Sequence, residues 1–373
     1  MMARNHPWLG AVAGILGLAA AACTPLVLGL PAPVALPSAA AATLPTAASA
    51  ATPPTATWYH LYFTNPAVTG QLANPSGGIP AQIAASFDGA QHTIDLAIYQ
   101  FDLANITDAL LRAKARGVTV RVVTDSDSLQ MDGILTLMQA GVPVVPDNRQ
   151  PIMHDKFAVI DGALVWTGSM NFTFSDAYRN DNNMLAVQSS ELAQNYTHEF
   201  EKMFVTHKFG AHVRADTPHP VINLGGTRIE TYFSPNGATA VHIDDALAGA
   251  QYSIYFMAFD FTRRDFGQTL LDQAAAGRDV RGVFEARQLA AGGDVVWNML
   301  TQGGLAARIR KDGNTKNMHD KVFIVDQAIV VTGSYNFSAS AENANDENVL
   351  IIHDPAMGAA YFGQWERVWA EGK

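Results

Sequence analysis

The chain is a duplication. The run Gln91-His92-Thr93-Ile94-Asp95-Leu96-Ala97-Ile98-Tyr99-Gln100-Phe101 aligns with Gln251-Tyr252-Ser253-Ile254-Tyr255-Phe256-Met257-Ala258-Phe259-Asp260-Phe261 at an offset of 160 residues. At the same offset Leu110-Leu111 falls on Leu270-Leu271, and Gly117 with Val120-Arg121 falls on Gly277 with Val280-Arg281. Upstream, Tyr62-Phe63-Thr64 echoes Tyr232-Phe233-Ser234. Further on, His154-Asp155-Lys156 meets His319-Asp320-Lys321 at an offset of 165, which implies a five-residue insertion in a loop, where insertions are tolerated. Whatever one half folds into, the other must fold into as well.

Each half alternates strand and helix. Thr93–Phe101 is an apolar run of β-branched and aromatic residues suited to a buried strand. Residues 106–115 carry leucine and alanine at helical spacing and stop at Gly117, and residues 118–124 return to strand character. Two further strands, 157–160 and 164–167, flank the hairpin signal Asp161-Gly162. An amphipathic helix over 191–205 closes the first half and one over 359–370 the second. This order predicts an α/β fold of two tandem α/β/α sandwiches, related by a pseudo-twofold axis around one shared site. The expected divisions are 1–57, 58–210 and 227–373, with the Gly- and Pro-containing stretch 207–226 as the join.

Both halves carry one pattern at one spacing: His154-x-Lys156, Asp161, Gly168-Ser169-x-Asn171, and His319-x-Lys321, Asp326, Gly333-Ser334-x-Asn336. A single six-position match at a given start has odds on the order of 10⁻⁸ at background frequencies, so two in register are not accidental. His and Lys two apart on a strand share a face. A turn then brings Ser and Asn beside them. The ammonium suits a non-bridging phosphate oxygen, and Ser and Asn add neutral donors. Two such sets around one phosphorus stabilise a five-coordinate phosphoryl transition state, whose charge lies on its equatorial oxygens. One imidazole attacks phosphorus as a neutral nucleophile while the other protonates the leaving oxygen.

The paired motif resembles that of the phospholipase D superfamily, and the likeness runs from about residue 58 to 373. Tyr335-Asn336-Phe337-Ser338 and Glu347-Asn348-Val349-Leu350 are similar to the smaller bacterial members, including nonspecific endonucleases and cardiolipin-hydrolase-like enzymes. The resemblance implies a metal-independent phosphodiesterase that works without a cofactor, through a covalent phosphohistidine. It makes His154, Lys156, His319 and Lys321 catalytic, and Ser169, Asn171, Ser334 and Asn336 phosphate-binding. It makes Asp161 and Asp326 structural. The family also places an acidic residue after the Ser/Asn strand to hydrogen-bond the imidazole. Here the second half has Glu347 and the first has Asn182, a departure that makes the site asymmetric. A carboxylate raises the pKa of its histidine and an amide only orients it. The expectation is therefore that Glu347 pairs with His319 as general acid, and that Asn182, or Asp181 in its place, stands beside His154 as nucleophile.

Composition narrows the setting. With 48% hydrophobic and 16% charged residues the chain is globular, and its single cysteine, Cys23, excludes a disulfide framework or a cysteine-rich metal site. The other histidines, among them His207, His212 and His219, form no short-spaced metal set. Between Arg4 and Asp88 there is no charged residue: an apolar run from Leu9 to Ala22 precedes a Pro/Ala/Ser/Thr-rich stretch to about Thr57. That layout predicts a secreted or periplasmic protein. It fits a signal cleaved after Ser38-Ala39-Ala40 or Ala48-Ser49-Ala50, a lipid anchor on Cys23, or an uncleaved apolar anchor.

A formal charge of −10 disfavours a broad grip on polyanions. The leading expectation is a phospholipase D releasing phosphatidate at a membrane surface. A secreted nuclease acting on nucleic acid and a phosphatidyltransferase are the alternatives. Loops over 125–150 and 286–318 are expected to choose among substrates. Arg278, Arg281, Arg308, Arg310 and Lys311 form a basic edge, a candidate rim for an anionic substrate, while Phe172, Phe174, Tyr335 and Phe337 are read as core before substrate contacts. Two motifs in one chain predict a functional monomer.

Overall fold

Alternating strands and helices bury both faces of two sheets. The computed structural model describes residues 58–70, 75–212 and 214–373; the N-terminal segment, its cleavage signals and Cys23 lie outside them. The first sheet has seven strands, in the order Tyr59–Phe63, Asn183–Gln188, Leu164–Gly168, Lys156–Ile160, Thr93–Ile98, Thr119–Thr124 and Val144–Pro146. The second has eight and repeats this order, Thr227–Ser234 standing where Tyr59–Phe63 stands and Val221–Leu224 added at its edge. That added strand lies inside the stretch expected as a join.

The duplication is thus a duplication of topology. Thr93–Ile98 pairs parallel with Thr119–Thr124 and antiparallel with Lys156–Ile160, and Ser253–Ala258 does the same with Asp279–Phe284 and Lys321–Val325. Asp161 and Gly162 turn the hairpin with φ of 52° and 60°, the positive values that a two-residue type I′ turn needs. The Asp161 carboxylate accepts the backbone N–H groups of Gln91, His92 and Thr93 at 2.7–2.9 Å. Asp326 does the same for Gln251, Tyr252 and Ser253 at 2.7–2.8 Å. Each motif aspartate therefore ties its hairpin to the start of the neighbouring strand.

Three cores fill the layers. One outer face of the first sheet packs on helices Gly78–Gly89, Ala104–Ala115 and Asp132–Gln139 through Ile83, Phe87, Ile106, Leu110 and Ile134. The second sheet has its own outer core, rich in phenylalanine: Phe256, Phe261, Phe266, Phe284 and Phe323. Between the sheets lies a common core that includes Phe157, Tyr196, Phe200, Val322, Tyr361 and Trp365, with helices Ser190–Phe204 and Pro355–Glu371 contributing to it. The halves share this interior, and the described residues from 58 onward form one compact unit.

A buried polar exchange registers one half on the other. Asn348 donates to Asp155 at 2.7 Å and accepts from Thr167 and Tyr196 at 2.7 and 3.1 Å. Its counterpart Asn183 donates to Asp320 at 2.7 Å and accepts from Thr332 and Tyr361 at 2.9 and 3.0 Å. Asp155 and Asp320 have no exposed surface. The second oxygen of each has no hydrogen-bond partner among the described residues, so the one asparagine bond is what satisfies each buried carboxyl. Replacing Asn348 by Leu strands Asp155 and two hydroxyls, and should destabilise the fold by about 3 kcal/mol. The denaturant midpoint at pH 7 measures this, and a loss below about 1 kcal/mol would show that the exchange contributes little.

The stretches 125–150 and 286–318, expected as loops, are largely structured. They carry helices Asp132–Gln139, Ala286–Ala290 and Val295–Leu300 and the edge strands Val144–Pro146 and Ile309–Lys311. Short apolar segments such as Val295–Leu300 read as loop in sequence because they are too brief for a helical period to stand out.

Candidate active site

Each motif histidine sits just before a strand, and the first residue of that strand is its lysine: Lys156–Ile160 and Lys321–Val325. Each Ser/Asn pair follows the next strand, and the reason for the preceding glycine is a close approach. A Cβ at Gly168 would lie 2.3 Å from the Asn183 carbonyl oxygen, and one at Gly333 would lie 2.2 Å from that of Asn348. The backbone can therefore dock there, and Ser169 and Ser334 donate their N–H groups to those carbonyls at 3.0 and 3.1 Å.

The histidines, lysines and serines of both motifs converge at the join of the two halves, Ser334 and Ser169 each bonding the residue that partners a histidine, and Asn171 bonds Asp176 beside His319. His154 is 4% exposed, His319 6%, and both lysines are buried. Lys156 donates to the His154 carbonyl at 2.5 Å, and Lys321 to that of His319 at 2.7 Å. Both ammoniums act on both imidazoles. Burial, reinforced by Lys156 and Lys321, pushes the His154 imidazole well below its usual pKa. Burial and Lys321 do the same to His319 against the opposing pull of Asp176. Burial brings Lys156 down to about 8, and burial with the repulsion of Lys156 brings Lys321 down to about 7. The site thus holds neutral imidazoles beside cations that an anion would stabilise.

The partners of the histidines are exchanged relative to the expectation. His154 Nδ1 lies 2.7 Å from Glu347, and His319 Nδ1 lies 3.0 Å from Asn182 Oδ1. The cause is in the backbone. Each segment before a motif histidine bridges to the opposite half, Met153 to Asp346 and Met318 to Asp181. The residue following each bridge partner, Glu347 or Asn182, therefore faces the other half's histidine. Asp181 does not stand in for Asn182: it ion-pairs with Arg367 and accepts from Asn314 at 2.8 Å.

The amide of Asn182 is oriented. Its nitrogen donates to the Asp176 carbonyl at 3.0 Å, so its oxygen accepts, from Ser169 Oγ at 2.8 Å and from His319 Nδ1. On the other side, Glu347 accepts from Ser334 Oγ at 2.7 Å, and burial raises its carboxyl to about 7 against the pull of Lys156. Both Nδ1 atoms thus face acceptors, which leaves both Nε2 lone pairs for chemistry. The Oδ1 atoms of Asn171 and Asn336 are buried and have no hydrogen-bond partner among the described residues. Among those residues, no group of three or more His, Cys, Asp or Glu could hold a metal ion.

Residues 83–204 and 243–369, more than half the chain and one stretch in each copy of the repeat, match the family described as "Cardiolipin synthase, PLD-like domain". The chain belongs to the phospholipase D superfamily. The mitochondrial cardiolipin hydrolase of Xenopus tropicalis is 38% identical over 117 residues, 31% of this chain and 56% of that protein. The phospholipase D of Rickettsia conorii is 36% identical over 124 residues, 33% of this chain and 62% of that one. The chain spans about half the length of the curated relatives it matches. The structure of Haemophilus influenzae phosphatidylserine synthase matches with a TM-score of 0.60 over 79% of this chain and 84% of that one, at 14% identity, which is a likeness of fold.

Against the superfamily motif, three further residues border the site that sequence reasoning passed over. Asp176 lies 3.7 Å from His319 Nδ1; its carboxyl is held below the usual range despite burial, by His319 when that ring carries its proton and by bonds from Asn180 and Asn171. Its counterpart at the 165 offset is Ala341, so the signal was a charge present in one copy and absent from the other. Tyr99 meets the His154 ring edge-on with centroids 5.2 Å apart, and Phe259 meets His319 at 4.5 Å. These are aligned aromatics at the ends of equivalent strands. By contrast Phe172, Tyr335 and Phe337 are buried in the outer cores, and half-buried Phe174 packs under Arg179. In the expected rim, Arg281 pairs with Asp279, Arg278 donates to the Ala250 and Ala276 carbonyls, and Arg310 and Lys311 stack on Trp369 and Trp297.

Proposed function

We propose that the protein is an exported, metal-independent phosphodiesterase that hydrolyses a phospholipid head group to phosphatidate, with His154 as nucleophile and His319 as general acid. The observation that carries the assignment is the pair of Nδ1 partners, Glu347 on His154 and Asn182 on His319. A carboxylate partner was expected to mark the general acid, and it stands instead on His154. The ring that attacks phosphorus also goes from neutral to cationic, and a carboxylate at its Nδ1–H stabilises that change, so the exchanged pairing supports His154 as nucleophile. The ring that gives up a proton goes from cationic to neutral; the Asn182 amide holds its tautomer, and Asp176, 3.7 Å from Nδ1, supplies the pull toward the charged form that the ring needs before it donates. In the first step the His154 Nε2–phosphorus bond forms, the bond from phosphorus to the head-group oxygen breaks, and His319 Nε2–H protonates that oxygen. In the second, water attacks phosphorus, gives a proton to His319 and releases phosphatidate with His154 restored. Lys156 and Lys321 neutralise the non-bridging oxygens throughout, which is the support for independence from metal.

The anionic substrate restores the proton that burial and the lysines remove from His319. For the free enzyme, kcat/KM should be bell-shaped with its maximum near pH 7. The acid limb reports loss of the Glu347 carboxylate, whose pKa is about 7. The alkaline limb reports loss of the Lys321 and Lys156 charges, at about 7 and 8. The test is one assay of the chain from residue 58, with EDTA present, on mixed phospholipid vesicles and on plasmid DNA. Phosphatidate release without nicking is the expected result. Nicking without lipid turnover would make the protein a nuclease, and dependence on added metal would remove the lysine-based account. The uncharged N-terminal stretch supports export, which fractionation of expressing cells measures.

A further inference from the structure

Each copy of the repeat supplies one carboxylate to the other copy's histidine, and the two copies supply it from different positions. In the second copy it is Glu347, which opens the strand Glu347–His353 and lies 2.7 Å from His154 Nδ1. The helix before that strand, Ala339–Asn343, carries the fully buried Ala341. In the first copy the position ahead of the strand Asn183–Gln188 is Asn182, and the carboxylate is Asp176, on the helix Phe174–Tyr178 and 3.7 Å from His319 Nδ1. At the 165 offset Asp176 matches Ala341 and Asn182 matches Glu347. Asp with Asn in one copy thus answers Ala with Glu in the other.

The bonds around the two carboxylates match as well. Asn180 and Asn345 are equivalent, and each donates its amide to the carboxylate of its own copy, to Asp176 at 2.5 Å and to Glu347 at 3.3 Å. Ser169 and Ser334 are equivalent too, and their hydroxyls donate to Asn182 at 2.8 Å and to Glu347 at 2.7 Å. Asp176 also accepts the Asn171 N–H at 2.7 Å and is 4% exposed. The other charged and titratable groups that act on His319 are Lys321, Lys156 and His154, and all three oppose its protonation. Asp176 is the group that favours it.

We infer that Asp176 is the first copy's carboxylate displaced from the strand end to the helix, and that positions 176 and 182 act as one unit that loads His319 with the proton it donates. The inference rests on the proposed reading of His319 as general acid. Glu347 gives His154 both orientation and charge. His319 takes its orientation from the Asn182 amide and its charge balance from Asp176, a positioning residue that exchanges no proton itself. The partners needed for a carboxylate at 182 are already in place as Ser169 and Asn180, so the two placements should be interchangeable.

The test uses Asp176→Asn, Asp176→Ala and the double exchange Asp176→Ala/Asn182→Glu, which copies the second half's pair into the first. Each is assayed on an ester whose leaving alcohol needs a proton: phosphatidylglycerol in phosphatidylcholine vesicles, or a single-stranded oligonucleotide, whichever the wild type cleaves. The second substrate is an aryl phosphodiester whose acidic phenol leaves without one. On the alcohol ester both single variants should lose roughly a hundredfold or more in kcat, and the rate of the phenol burst should fall by a factor about ten times smaller. The double exchange should recover about tenfold or more of what Asp176→Ala loses. Asp176→Asn keeps the shape of the side chain, and its thermal midpoint reports whether the fold is retained. Single variants as active as the wild type, or equal losses on both esters that the exchange does not recover, would leave Asp176 only a brace for Asn171 and Asn180. Either result would overturn the inference with the catalytic reading intact. Equal losses that the exchange does recover would make His319 the attacking ring, and would overturn that reading together with the acid role of Asp176.

Discussion

His154→Ala should reduce turnover of any phosphodiester by about 10⁴- to 10⁶-fold, because in the proposed mechanism it removes the atom that bonds to phosphorus. The companion His319→Ala separates the two imidazoles. An aryl phosphodiester with an acidic phenol needs no proton on its leaving oxygen, so His319→Ala should still release one equivalent of phenol in a burst. It should then stall as a phosphoenzyme, having no base to activate water. Peptide mapping of the trapped protein should find the label on His154. A label on His319, or a burst from His154→Ala, would reverse the roles. Because His154 is almost fully buried, the thermal midpoints of both variants must be read beside their rates.

Glu347→Gln should cost about 10²- to 10⁴-fold in kcat while leaving the fold intact. A carboxylate can only accept from His154 Nδ1, whereas an amide can also donate, and the ring then carries its proton on the nitrogen proposed to attack. Stability should move the other way. Burial raises the Glu347 carboxyl from 4.5 to about 7, so the folded state holds this proton more tightly than the unfolded one. The stability this group contributes is present in full below pH 4.5 and is lost as the pH rises through 7, up to about 3 kcal/mol in all. The glutamine variant has no such loss. Its thermal midpoint relative to the wild type should therefore rise between pH 5 and pH 8, and the opposite trend would mean that the lysines more than offset the burial of this carboxylate.

Much of this was open to reading along the chain. The strands at Thr93–Ile98, Thr119–Thr124 and Leu164–Gly168 and the closing helix Ser190–Phe204 lie within a few residues of where apolar pattern and turn signals put them. The hairpin aspartates bind backbone amides, as a structural role requires. These features are local or periodic, and the repeat states each of them twice.

The cross-pairing of Glu347 with His154 was not readable, nor was the partner exchange of Asn183 and Asn348. Aligned copies show which positions correspond, but not whether a contact closes within one copy or between two. Asp176 beside His319 and the aromatic pair Tyr99 and Phe259 share that character. The duplicated α/β plan, the family of both halves and the paired motif were all legible along the chain. The tertiary structure decided which half serves which histidine, because packing about the twofold joins residues more than a hundred positions apart, and no spacing along one chain encodes that choice.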